Sequence, residues 1–147
     1  MMDERRGRSL LFAGALLVLV GLLSGAAIPA MATARLGLSA HLGGVQGGIL
    51  VMVVGLAWRH VVLSPALETT AFVTTVFSNY ALYLALQLAA LWGTSRSTPI
   101  AGAGSAGGPL REAFVSGVLY AGSLSAILAM ALVVWGLRPA ARAPEKT

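Results

Sequence analysis

Four long apolar runs divide the chain, at about residues 10–31, 40–58, 66–92 and 113–137. At ~1.5 Å of rise per residue, a helix over any of them crosses a hydrocarbon core of ~30 Å. The expected fold is all-α: one integral membrane four-helix bundle covering residues 1–147, with tails at 1–8 and 139–147. The first run exceeds the ~7–15 apolar residues of a cleaved signal segment, so it counts as a spanning helix. The breaks are marked by Pro29, by Ser64-Pro65, and by Pro99 and Pro109. Between those last prolines the chain is mostly Gly, Ala and Ser, a connection of a kind able to fold back over a site.

Composition narrows the class further, since 57% of the residues are apolar and only 10% are charged. A soluble domain of this size needs more charge on its surface, whereas a body facing lipid does not. Ten Lys and Arg against five Asp and Glu give a net charge of +5. The basic residues stand singly at the ends of apolar runs, in no stripe or aromatic-interleaved patch, so they are topology determinants and no nucleic acid partner is expected. Arg5, Arg6, Arg8, Arg59, Arg138, Arg142 and Lys146 fall on one side and Arg35, Arg96 and Arg111 on the other. That bias predicts both ends inside, in a multi-pass protein of the cell inner membrane. Trp58, Trp92 and Trp135 lie near helix ends, where indoles anchor at the headgroups. The absence of Cys excludes disulfides, thiolate metal sites and Cys nucleophiles.

Polar groups inside the runs are the candidates for chemistry, because they are costly in lipid. His41 opens the second helix and is followed by Gly43, Gly44, Gly47 and Gly48, which either pack helices closely or clear a flat space for a planar ligand. His60, beside Arg59, fits a solvated helix end. On the third helix Asn79, Tyr83 and Gln87 share a face, with Ser78 and Tyr80 beside them. Glu112, Ser116, Tyr120 and Ser123 form a second stripe on the fourth helix, and Glu112 could instead cap that helix or pair with Arg111. Both stripes are expected to turn inward, whereas helix one carries none and reads as scaffold or subunit contact. No Ser-His-Asp set, phosphate loop or metal-type His pair is present. The remaining groups suit a small apolar substrate arriving from the lipid, with or without a cofactor.

Arg35 through Leu42, Trp92-Gly93 through Pro99-Ile100-Ala101-Gly102, Arg111-Glu112 and Trp135-Gly136-Leu137-Arg138 together resemble hydroxylaminobenzene mutase. That family consists of small four-helix membrane enzymes that isomerise arylhydroxylamines to aminophenols. Ala40-His41 with its glycines, and Ser78-Asn79 with Tyr83-Leu84, are similar to styrene oxide isomerase, a four-helix membrane isomerase that works as an oligomer and uses haem b. The resemblance implies that His41 ligates haem iron, with Gly44 and Gly48 beside the cofactor. It also implies that Tyr83 and Asn79 act at a small aromatic substrate, with Tyr80, Tyr120 and Glu112 as secondary groups, in a homo-oligomer, a trimer by the same resemblance. The haem iron would serve as a Lewis acid. This chain departs from the pattern at Gly47, where that family has a catalytic asparagine, and at Gly43, where the mutases tend to be acidic. An epoxide-to-aldehyde isomerase and a non-catalytic haem-binding or small transport protein are the alternative readings.

Overall fold

The structure, a computed structural model, describes residues 2–102 and 104–139. Among them there are helices and connections and no strand. The helices are α1 (Met2–Ala26), α2 (Ala34–Ala57), α3 (Pro65–Trp92) and α4 (Pro109–Gly136), with short 3-10 turns at Ile28–Ala30 and Trp58–His60. All four are long and apolar enough to cross a membrane.

Four helix bounds differ from those expected, the first being the end of α1, which stops at Ala26 and gives way to the 3-10 turn at Pro29 instead of running to residue 31. The charged residues before Leu10 are not a tail but the first turns of α1. They are good helix formers with no breaker, and Arg6 is held at its far end by Glu68 (2.9 Å) and Thr69 (2.8 Å). Helix α2 starts at Ala34, since nothing from Ala34 to Ser39 interrupts a helix. Helix α4 starts at Pro109, whose missing N–H costs nothing in a first turn. Beyond Pro139, the tail expected at 139–147 lies outside the described residues, with Arg142 and Lys146.

Each helix packs against the next in chain order, α1 on α2, α2 on α3 and α3 on α4, while α1 and α4 form no substantial contact. The buried positions of α1 are Gly7, Leu10, Gly14, Leu17, Gly21 and Ser24, alternating steps of four and three. Every second one is glycine, and α2 answers with glycines in antiparallel order. A Cβ on Gly7 would lie 2.9 Å from the Gly55 carbonyl, one on Gly14 2.8 Å from Met52 N, and one on Gly21 2.8 Å from Val45 N. The two backbones therefore touch, which is how helices associate in lipid, where burial of apolar surface gives no drive.

At one end of the bundle Trp58 is only 2% exposed and stacks edge-on against Phe72, with Nε1 donating to Glu68 at 3.4 Å. It is a core residue, not the headgroup anchor expected, because Arg6 and the start of α3 cover it; Trp135 stays 57% exposed. The Val62 N–H donates to the Gly136 carbonyl at 2.9 Å, so the α2–α3 connection and the end of α4 share the end where α1 begins. At the opposite end the Thr33 N–H donates to the Ala90 carbonyl at 3.1 Å.

Gly14→Ala forces the two backbones apart and is expected to cost about 1–3 kcal/mol, as overpacking does. Gly117→Ala, where a Cβ meets nothing within 4 Å, should leave stability unchanged or raised. Thermal melts of the two variants in the same detergent check this.

Candidate functional site

His41 sits on α2 facing α1, half-buried, with Nδ1 2.8 Å from the Gly21 carbonyl oxygen. A carbonyl only accepts, so Nδ1 donates, and in the neutral ring Nε2 then keeps its lone pair. Nε2 has no hydrogen-bond partner among the described residues. One turn along α2, Gly44 lies under the Tyr83 ring of α3, where a Cβ would come within 2.8 Å of Cδ2. The Tyr83 hydroxyl reaches the Val20 carbonyl only at 3.5 Å, a weak bond that leaves it available. A further turn on, Gly47 faces Asn79, whose Oδ1 would lie 2.8 Å from a Cβ there. The Asn79 amide donates back to the Thr75 carbonyl at 2.9 Å, so Oδ1 is its outward group. Tyr83 and Asn79 thus follow one another along the α2–α3 seam, while His41, a turn before Gly44, lies on the α1–α2 side.

Other expected site residues lie elsewhere. Gly44 and Gly48 do not clear a flat space: Cβ atoms there would meet Gly21 Cα at 2.9 Å and Val18 N at 2.7 Å. Helix α1 already fills that room. Tyr80 turns to α1 and donates to the Ala13 carbonyl at 2.8 Å. Tyr120 is 65% exposed and faces away from the other helices, and Ser123 is exposed too, so the stripe on α4 does not turn inward as a whole. Only Ser116 is buried, bonded to Ser97 at 2.6 Å. Glu112 neither pairs with Arg111 nor lines a site. Its carboxylate accepts the backbone N–H groups of Ser95 (3.0 Å), Arg96 (3.0 Å) and Gly107 (3.1 Å), clamping the α3–α4 loop.

Two features were not anticipated from the residues alone. Helix α1 is not passive, since its carbonyls at Ala13, Val20 and Gly21 receive Tyr80, Tyr83 and His41. Gln46, near the middle of α2, is exposed on the face it shares with Leu42, Ile49 and Val53 and has no hydrogen bond among the described residues. An amide inside a membrane span was a visible signal for it.

Because α1 and α4 stand apart, an open groove of about 550 Å³ lies between them over α3. Its walls are almost wholly apolar, with Leu17, Val20 and Val118, and Tyr80 and Tyr83 supply the aromatic floor. His41 is not among its lining residues, so Tyr83 is the group shared between the groove and the α2–α3 seam. The arrangement offers one imidazole nitrogen, one loosely held phenol, one amide oxygen and a dry aromatic surface.

Residues 6–138 match the model of a family described as styrene oxide isomerase. The chain is 40% identical to hydroxylaminobenzene mutase HabB of Ectopseudomonas oleovorans over 139 residues, 94% of this chain and 85% of that protein. It is 35% identical to hydroxylaminobenzene mutase HabA of the same organism over 108 residues, 73% of this chain and 80% of the relative. No solved structure matches it.

The Glu112 clamp yields a stability test. Glu112→Ala leaves three loop N–H groups without their acceptor, which should cost about 1–3 kcal/mol, and Glu112→Gln should recover part of it. Limited proteolysis between Ser95 and Gly108 should speed up in the alanine variant and less so in the glutamine one.

Proposed function

Because the chain belongs to the styrene oxide isomerase family, and is an isomerase on that ground, we propose that it rearranges arylhydroxylamines to aminophenols in the membrane. The choice of substrate rests on the two hydroxylaminobenzene mutases, which it resembles along most of its length. The observation that carries the site is His41, with Nδ1 tied to the Gly21 carbonyl of α1 and Nε2 without a partner among the described residues, and with Tyr83 and Asn79 at the next turns of α2, on its α3 side.

His41 Nε2, which bonds to no other described residue, is the imidazole nitrogen that would hold haem b. When bound, haem iron would supply a Lewis acid that polarises the bond to oxygen. The chain's own part is positioning. In the rearrangement the N–O bond breaks, a ring C–O bond forms and the ring proton passes to nitrogen, so atoms and electrons balance without a second reactant. The Tyr83 hydroxyl would donate to the departing oxygen, and Asn79 Oδ1 would accept from the substrate N–H. The aromatic groove admits an apolar ring from the lipid and keeps water from the electron-poor ring that forms as N–O cleaves.

An epoxide-to-aldehyde isomerisation is the second reading, favoured by the family model itself. It would use the Tyr83 hydroxyl at the departing oxygen in the same way, because a C–O bond replaces N–O, but an epoxide offers Asn79 Oδ1 no N–H to accept. A proton-coupled transporter has less support: among the described residues Glu68 and Glu112 are committed to Arg6 and to loop amides.

Orientation and assembly complete the proposal. Arg5, Arg6, Arg8, Arg59 and Arg138 gather at one end of the bundle against Arg35, Arg96 and Arg111 at the other, which supports both termini inside, in the inner membrane. Gln46 supports a homo-oligomer, with three copies following from the family resemblance. Its amide both donates and accepts, so the same residue of a second copy would satisfy it.

Four measurements test these readings. Purified protein should show a haem Soret band that His41→Ala loses; a variant with full haem content overturns the ligand assignment. Product analysis with phenylhydroxylamine and styrene oxide side by side should show aminophenol from the first, and conversion of neither overturns both isomerase readings. Tyr83→Phe should lower kcat by about 10²-fold, the scale of one lost oxyanion donor. For assembly, Gln46→Leu should shift the detergent-solubilised protein towards monomer in native mass spectrometry.

A further inference from the structure

Helix α1 carries a notch at Gly25 in which the His41 ring lies. A Cβ built on Gly25 meets Nδ1 at 2.7 Å, Cε1 at 3.0 Å and Cγ at 3.2 Å, and those imidazole atoms are its three nearest neighbours. At Gly21 the neighbours of a Cβ are instead the α2 backbone, Val45 N and Gly44 C. The two glycines, four residues apart on one face of α1, therefore have different duties. Gly21 lets the helices touch and brings its own carbonyl within 2.8 Å of Nδ1. Gly25 leaves the volume in which the ring lies flat enough to make that bond.

We propose that Gly25 is a positioning residue for His41. With the notch open, the ring is held as the Nδ1–H tautomer by the Gly21 carbonyl and Nε2 faces away from α1. A methyl group at position 25 forces the ring out of the notch, breaks the Nδ1 hydrogen bond and frees both the rotamer and the tautomer. Among the described residues the Gly21 bond is the only one made by either ring nitrogen, so it is what selects between them. The value of this to catalysis rests on His41 being the haem ligand, but the tautomer does not.

The test uses the full chain labelled with ¹⁵N-histidine, made in a haem-deficient host, reconstituted in nanodiscs and recorded at a pH where the rings are neutral. His60→Ala, at an exposed helix end, assigns the two histidine signals. The expected spectrum has His41 protonated at Nδ1 and bare at Nε2. In Gly25→Ala the His41 signals should move to a mixture of tautomers, while Gly117→Ala keeps the wild-type pattern. A wild-type His41 protonated at Nε2, or a Gly25→Ala spectrum identical to wild type, overturns the proposal, and the wild-type result stands even if Gly25→Ala folds poorly. Haem content is read separately from a haem-replete host. Wild type without haem there would sink the ligand reading alone, whereas an Nε2-protonated ring in the haem-free protein would sink the positioning role alone.

Discussion

The structure depends on how close α1 comes to α2. Gly7, Gly14 and Gly21, seven residues apart, meet Gly55, Gly48 and Gly44 in reverse order, backbone against backbone. In a hydrocarbon solvent this contact replaces a hydrophobic core as the source of cohesion, because dispersion between closely packed atoms is what distinguishes helix from lipid. It has a chemical consequence as well. Only with the backbones in contact can carbonyls of α1 reach side chains on α2 and α3, so the same glycines that hold the pair together bring an acceptor to His41.

That acceptor role changes what α1 is. It has no polar side chain in its buried stripe except Ser24, and Ser24 itself bonds to the Gly21 carbonyl at 2.7 Å. Its contribution is made by main-chain oxygens, and that of Gly21 is shared between the Ser24 hydroxyl and His41 Nδ1. Tyr80, Tyr83 and His41 use them at three successive levels of the bundle. The bonds differ in strength: Tyr80 holds at 2.8 Å, whereas Tyr83 at 3.5 Å is only loosely tied.

The charged groups have been taken out of the interior and used at its ends. Arg6, Glu68, Thr69 and Trp58 close one end. Glu112 closes the other by gathering three amides of the α3–α4 loop, with Ser97–Ser116, Ser95–Ser105 and Thr33–Ser105 contacts around it. The loop that composition marks as small and flexible is thereby pinned. What is left for chemistry in the membrane is neutral, in keeping with an isomerisation that needs no added charge carrier, and close relatives named as mutases point the same way.

Four spans, their punctuation by proline, the even number that puts both ends together, and the residues worth suspecting were all legible in the order of amino acids, because length and polarity decide them locally. His41, Tyr83 and Asn79 stood out since each is a polar group in an apolar run. Which face each helix buries was not legible in the same way. A helix in lipid is apolar all round, so polarity cannot mark its inner side, and residue size does so only once a partner is present. The spacing of Gly7, Gly14 and Gly21 is plain, but its match to Gly55, Gly48 and Gly44 exists only when the helices lie antiparallel in one register. The same holds for Glu112, whose partners at Ser95, Arg96 and Gly107 come to it through the fold of a loop, and for Tyr120, which the rotation of α4 turns outward. Packing between elements, a property of pairs, assigned these residues; the chain order, a property of one strand, could only nominate them.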